Sequence, residues 1–225
     1  VIDVHLVLID NMKDIPIQQS NRWAGFTAAF TARDAARTDI EERIECDVVK
    51  HDRLSDHATW EALFDADGII LSGSKYSLSS YDHKPRVRAL FEPQLEFARR
   101  TNKPVLGICF GHELIAIAHG MQLCRCGLAE KGIQSIHVKD GFRLLQGEQE
   151  AMVVEQHHVM QVDPASLKGS GFENFGGSAT CEVQLLQHAL RPIFGVQFHP
   201  ETLADPVATR DGRALLVGFL DLVGE

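Results

Sequence analysis

The sequence predicts an α/β fold, a doubly wound and mostly parallel mixed sheet flanked by helices, and three features point to it. Short β-branched apolar runs alternate with helical patterns through the first half of the chain. A buried-strand pattern at residues 104–108 gives way at once to a helical one from Phe110 to about His119. After Gly120 the texture changes to short strand candidates separated by Gly, Asp and Pro. These predict extra strands, partly antiparallel, in the second half.

Taken in order, residues 4–9 (VHLVLI) form a compact apolar run closed by Asp10-Asn11, as a buried strand would. Residues 43–50 alternate less cleanly but carry Ile44, Val48 and Val49 at strand density. Residues 68–71 (GIIL) run into the polar Ser72-Gly73-Ser74. Between 85 and 100, Val87, Leu90, Phe91, Leu95 and Ala98 fall near one helical face. Pro93 inside that pattern marks a kink or a helix start. In the second half, residues 133–139, 151–155, 183–187 and 193–198 read as strands, and residues 169–178 as a loop. Leu215, Leu216, Phe219 and Leu220 at helical spacing predict a closing helix. No repeat and no Gly/Ser/Pro-rich linker divides the chain, so residues 1–225 read as a single domain.

Composition narrows the class. The 225 residues carry 22 Lys+Arg against 31 Asp+Glu, a formal charge of −9 that argues against binding nucleic acid through its phosphates. Five unevenly spaced cysteines do not make a secreted disulfide framework and fit a reducing, cytoplasmic setting. The longest apolar runs, such as residues 214–220, fall far short of the ~20 residues that span a bilayer. The first five residues carry an acid and no basic region, unlike a signal peptide.

The sharpest local feature is Gly107-Ile108-Cys109-Phe110-Gly111, where a strand turns into a helix. This is the nucleophile-elbow arrangement with Cys in place of Ser. A tight turn of this kind needs residues without a Cβ beside the nucleophile. The helix N-terminus is expected to lower the Cys109 thiol pKa, and the Phe110 amide is placed to donate to a developing oxyanion. Near the other end, Phe198-His199-Pro200-Glu201 follows an apolar strand. A cysteine nucleophile needs a base, and the base needs a group that fixes its tautomer. Taken singly, the first segment also fits a buried Cys in a Gly-flanked turn, and the second an ordinary turn.

Together, GICFGHELIA at 107–116 and GVQFHPE at 195–201 resemble the class I (triad-type) glutamine amidotransferases, and the likeness runs from LIDN at 8–11 to Glu201. The resemblance implies that family's flavodoxin-like sheet, with Cys109 as nucleophile, His199 as general base and acid, and Glu201 orienting His199. It also implies that Gly73 or Ser74 supplies the second oxyanion amide beside Phe110. Here SGSKYS stands where the family commonly has SGGP, a variant similar to free-standing amidotransferase-like proteins and γ-glutamyl peptidases. Gln156-His157-His158 with Val162 resembles a substrate-side segment, which makes His157 and His158 candidate pocket residues, with a surface loop as the other reading. Glu130 and Gly132 resemble a structural E-x-G turn. Glu113 stands where the family usually has a Gln that helps hold the substrate, and a carboxylate has no amide donor to offer.

Other constellations fall away. His112-Glu113 begins like H-E-x-x-H, but the next histidine, His119, lies ~10 Å further along a helix. Cys124-Arg125-Cys126 lacks a second Cys pair, Cys46 and Cys181 have no partner motif, and no phosphate-binding glycine motif occurs. No metal and no cofactor are expected. The resemblance therefore implies a hydrolase that releases ammonia from the γ-amide of glutamine through a γ-glutamyl thioester, with a possible synthetase subunit to accept the ammonia. Two alternatives stand beside it: a free-standing γ-glutamyl peptide hydrolase, and a non-catalytic regulatory subunit of the same fold.

Overall fold

The computed structural model describes residues 2–36, 42–78, 85–147 and 149–224. Nine strands form one sheet: β1 (Ile2–Asp10), β2 (Glu42–Lys50), β3 (Gly68–Leu71), β4 (Val105–Ile108), β5 (Leu123–Val138), β6 (Ala151–Val162), β7 (Phe172–Gly177), β8 (Leu185–His188) and β9 (Ile193–Val196). Their order is β2-β1-β3-β4-β9-β8-β7-β5-β6. The pairings from β2 to β9 are parallel, and those from β9 through β8 and β7 to the β5–β6 hairpin are antiparallel. The sheet is thus the mixed one expected, with the added strands joined edge to edge onto a parallel half.

Among the described residues, five α-helices flank it: α1 (Asn21–Ala36), α2 (His57–Asp65), α3 (Pro85–Arg100), α4 (Phe110–Ala118) and α5 (Pro206–Val223). The period-2 alternation of β1 explains the double winding. Leu6 and Leu8 join a core with Phe26 of α1 and Leu216 and Phe219 of α5. Val7 and Ile9 point the other way, into a core with Leu63 of α2, Phe97 of α3 and Ile115 of α4. Helix α4 is buried almost all round, as its apolar second half, residues 114–118, requires, and His112 and Glu113 are buried with it. Asp56 caps α2 and Asp205 caps α5, each side chain accepting from backbone N–H groups of the first turn. None of the helices searched among the described residues is long and apolar enough to cross a membrane.

Three expectations need adjusting. Residues 169–178 are not a loop throughout, because Phe172–Gly177 forms β7 between β8 and β5. Its glycines hide the strand in the sequence, yet they are what lets it fit. A Cβ on Gly176 would lie 2.7 Å from the His137 carbonyl oxygen, and one on Gly177 2.6 Å from that of Glu182. Strand β6 continues to Val162, so Gln156, His157 and His158 lie on a strand, not in a surface loop. Helix α3 begins at Pro85, a residue suited to a first turn, and runs on through Pro93. Burial of Phe91, Leu95, Phe97 and Ala98 offsets the backbone bond lost there.

Candidate active site

The loops after β3, β4 and β9 leave the carboxyl ends of neighbouring strands, so they converge by topology. Cys109 follows β4 as the residue before α4. Its φ of 50° and ψ of −100° make it the one non-glycine residue with positive φ among those described. Neighbouring backbone holds it in that costly conformation: its N–H donates to Val196 O (2.8 Å) and its carbonyl accepts from Glu113 N (3.1 Å). The two glycines of the elbow serve close packing. A Cβ on Gly111 would sit 2.1 Å from Leu71 O, and one on Gly107 2.5 Å from Gly111 O. Here Gly107 and Gly111 supply space, and the strained residue is the cysteine itself.

His199 and Glu201 follow β9. The His199 N–H donates to Glu155 O of β6 (2.9 Å), which fixes the backbone beside the ring. His199 Nδ1 lies 2.9 Å from Glu201 Oε1, so the carboxylate holds the proton on Nδ1 and leaves Nε2 as the basic nitrogen. Arg22 Nη1 reaches the same oxygen at 2.7 Å from α1. Gly25, one turn further along α1, permits this approach, since a Cβ there would meet Glu201 O at 2.0 Å. Gly73 lies against both the His199 ring and the elbow: a Cβ on it would lie 2.9 Å from His199 Cε1 and 3.7 Å from Cys109 Cβ.

Electrostatics divide the three groups. Burial works against the Glu201 charge, but His199 and Arg22 outweigh it and pull the carboxyl down to about 2 from an ordinary 4.5. A depressed carboxyl stabilises the fold fully above its unfolded value and loses that contribution as pH falls toward its folded one. The stabilisation is about 3 kcal/mol at neutral pH, with somewhat over half of it gone by about pH 3. Urea unfolding at pH 7 and pH 3, compared with Glu201→Gln, is expected to show this loss in the parent chain only.

Cys109 departs from expectation. Burial, then the charges of Glu113 and Glu201, push its thiol up, while Arg22 and the Phe110 N–H pull weakly the other way. The helix end acts in the anticipated direction but is outweighed. These surroundings disfavour the thiolate, so an attack by this sulfur would need a base to take its proton.

The loop after β3 is held by Asn11, the last residue of the LIDN segment. Asn11 N–H donates to Ser72 Oγ (2.9 Å), its amide donates to Ser72 O (3.2 Å), and it exchanges hydrogen bonds with buried Gln94. Ser74 Oγ donates to Asn11 O (2.6 Å) and accepts from Tyr76 N (3.0 Å). The Phe110 ring packs edge-on against Phe91, centroids 4.8 Å apart.

A cavity of about 430 Å³ opens over the elbow, and Cys109, Phe110, Ser74, Glu113, His157 and His158 are among its lining residues. Burial pushes Glu113 up to about 7, so its carboxyl is partly neutral near neutral pH. Both histidines line the cavity, but they differ. His157 is exposed on it, whereas both ring nitrogens of buried His158 have protein neighbours: Met160 O (2.9 Å) at Nδ1, Gln156 Oε1 (2.9 Å) and Glu130 Oε2 (3.1 Å) at Nε2. Gly132 has φ of 82° within β5, and Glu130 also accepts from Ser178, Thr180 and Gln184. Arg22 and Asn11 are the residues the sequence pattern missed as parts of this site. Asn11 lay in a segment singled out for resemblance, but Arg22 has no local signal at all.

The family model for glutamine amidotransferase class-I matches residues 33–214. A glutamine-hydrolysing GMP synthase subunit of Saccharolobus solfataricus is 36% identical over 146 residues, 64% of this chain and 72% of that protein. The aminodeoxychorismate synthase of Streptomyces griseus is 32% identical over 181 residues, 79% of this chain but 22% of that longer protein. Among solved structures, the glutaminase domain of Trypanosoma brucei CTPS with bound acivicin has a TM-score of 0.73 at 15% identity, covering 98% of this chain and 94% of that one. A glutamine amidotransferase from Thermotoga maritima has a TM-score of 0.67 at 16% identity, covering 99% and 98%. At such identities the structural likeness speaks for the fold.

Proposed function

Because the chain belongs to the class I glutamine amidotransferase family, we propose that it frees ammonia from the γ-amide of glutamine with Cys109 as nucleophile, His199 as base and Glu201 as its orienting partner. The observation that carries this reading is that Gly73 lies against both the strained Cys109, which lines the cavity, and the imidazole that Glu201 holds. The thiol proton passes to His199 Nε2 as sulfur attacks the γ-carbonyl carbon. The oxyanion so formed accepts from the Phe110 N–H and from the Gly73 or Ser74 N–H, a contribution of about 10²–10³ in rate per donor. His199 then protonates the leaving nitrogen, ammonia departs, and a γ-glutamyl thioester remains. Water gives a proton to the same nitrogen as it attacks the thioester. Glutamate leaves and the thiol is restored.

His157 and Glu113 are the side chains we assign to the substrate, and His158, with its nitrogens engaged, to shaping the wall. Residues 1–225 act in this reading as one domain. Several relatives are named as glutamine-hydrolysing GMP synthase subunits, which supports an ammonia-accepting synthetase subunit. Glu113 within the cavity favours a second reading, hydrolysis of γ-glutamyl peptides without a partner, since a carboxyl there suits an amine-bearing substrate. A panel of glutamine, γ-glutamyl dipeptides and glutathione conjugates separates the two. Glutamine is expected to give the highest kcat/KM. Rapid turnover of the peptides with none of glutamine would overturn the amidotransferase reading.

A further inference from the structure

Cys126, His158 and Cys181 come from three distant parts of the sequence, and neither cysteine enters the reaction above. The fold brings them together from β5, β6 and the turn between β7 and β8. All three are buried, and one ligating atom of each lies within 4.8 Å of the others. Cys126 Sγ is 3.6 Å from His158 Nδ1. We propose that Cys126 Sγ, Cys181 Sγ and His158 Nδ1 form a binding site for a thiophilic divalent cation, zinc foremost, in the wall of the catalytic cavity.

Four features support the site. First, ligand bonds of about 2.3 Å to sulfur and 2.0–2.1 Å to nitrogen in a tetrahedron put sulfur and nitrogen about 3.6 Å apart, the separation already present. Second, the donor set of two thiols and an imidazole is soft and borderline, which selects zinc-like ions over magnesium or calcium. Third, His158 Nε2 faces Glu130 Oε2 at 3.1 Å, so a carboxylate backs the ligand histidine on the side away from the ion. Glu130 is itself fixed by Ser178, Thr180 and Gln184. Fourth, β5 loses its register with β6 between Arg125 and Glu130, which frees Cys126 from regular alternation and lets its sulfur turn inward.

Binding would release the two thiol protons, and two thiolates would then balance the ion's charge in a buried setting. The ion would take the place of the contact between His158 Nδ1 and Met160 O, now 2.9 Å. Three protein ligands leave a fourth position for water or a substrate atom. His158 and Met160 also line the cavity, so the ion would tie β5, β6 and the β7–β8 turn together at its edge.

The test uses the full chain, reduced and stripped of metal, titrated with Co²⁺ as a spectroscopic probe and with Zn²⁺ in competition. Expected are one ion per chain, a thiolate-to-cobalt charge-transfer absorption, and loss of that absorption with at least a tenfold weaker affinity in Cys126→Ser and in Cys181→Ser. Cys46→Ser and Cys124→Ser are expected to bind as the parent does. As a check that needs no variant, Zn²⁺ is expected to protect Cys126 and Cys181 from alkylation, read by peptide mass spectrometry. The proposal falls if no thiolate absorption appears, if it persists in Cys126→Ser but vanishes in Cys109→Ser, or if Zn²⁺ protects neither cysteine. Because these readouts do not involve turnover, their failure leaves the proposed glutaminase reaction untouched, and the converse holds too.

Discussion

Cys109→Ser is expected to lower glutamine turnover by ~10⁴-fold or more while leaving the fold and its stability close to those of the parent. Burial and two acidic neighbours disfavour the thiolate, so the proposed reaction depends on handing the thiol proton to His199 as the carbon–sulfur bond forms. A hydroxyl is a far weaker acid than a thiol, and the same surroundings of burial and acidic neighbours oppose its anion still more. Serine is slightly smaller than cysteine, so the strained backbone at φ 50° and its bonds to Val196 and Glu113 remain. Steady-state kinetics with circular dichroism and urea unfolding check both halves. A glutamine-like electrophile is expected to label Cys109 in the parent chain. Residual turnover above one-hundredth of the parent's, or labelling of another cysteine in its place, would remove Cys109 from the reaction.

Glu201→Gln is expected to lower kcat by about 10³-fold with KM nearly unchanged. The glutamine keeps the volume and leaves an oxygen for Nδ1–H and for Arg22, so the imidazole stays in place. What disappears is the negative charge that stabilises the imidazolium formed when the thiol proton arrives. Some loss of stability is expected in either case, so kcat per active site decides: a merely structural role for Glu201 would preserve it, and active-site titration therefore accompanies the kinetics.

How much of this was legible in the sequence depended on how local each requirement is. The elbow and the His-Pro-Glu segment were readable because a strand-to-helix turn, and a base two residues from its partner, are set within a few residues. The parallel half was readable because β3 and β4 are short, buried and bounded by turn residues. Arg22 was not, since it reaches Glu201 only because Gly25 lets α1 pack against the loop after β9. The Cys126, His158 and Cys181 cluster was invisible for the same reason: strand order, not spacing, makes them neighbours. Strand β7 was hidden by glycines that normally signal a loop. The raised thiol pKa at Cys109 could not be read either, because it is set by burial and by two carboxylates, one of them 92 positions away, opposing a local helix effect.

The place of β9 has a consequence for the protein during its own synthesis. This strand, near the end of the described chain, inserts beside β4 at the centre of the sheet and carries the base and its partner on the loop that follows. A ribosome that has already made Cys109 must add about ninety more residues before His199 and Glu201 exist, and the exit tunnel delays their arrival further. Until then the β4 edge has no β9 to pair with, and the nucleophile has no base. In the proposed reaction, a nascent chain thus gains the base for its thiol only in the step that brings β9 into the sheet.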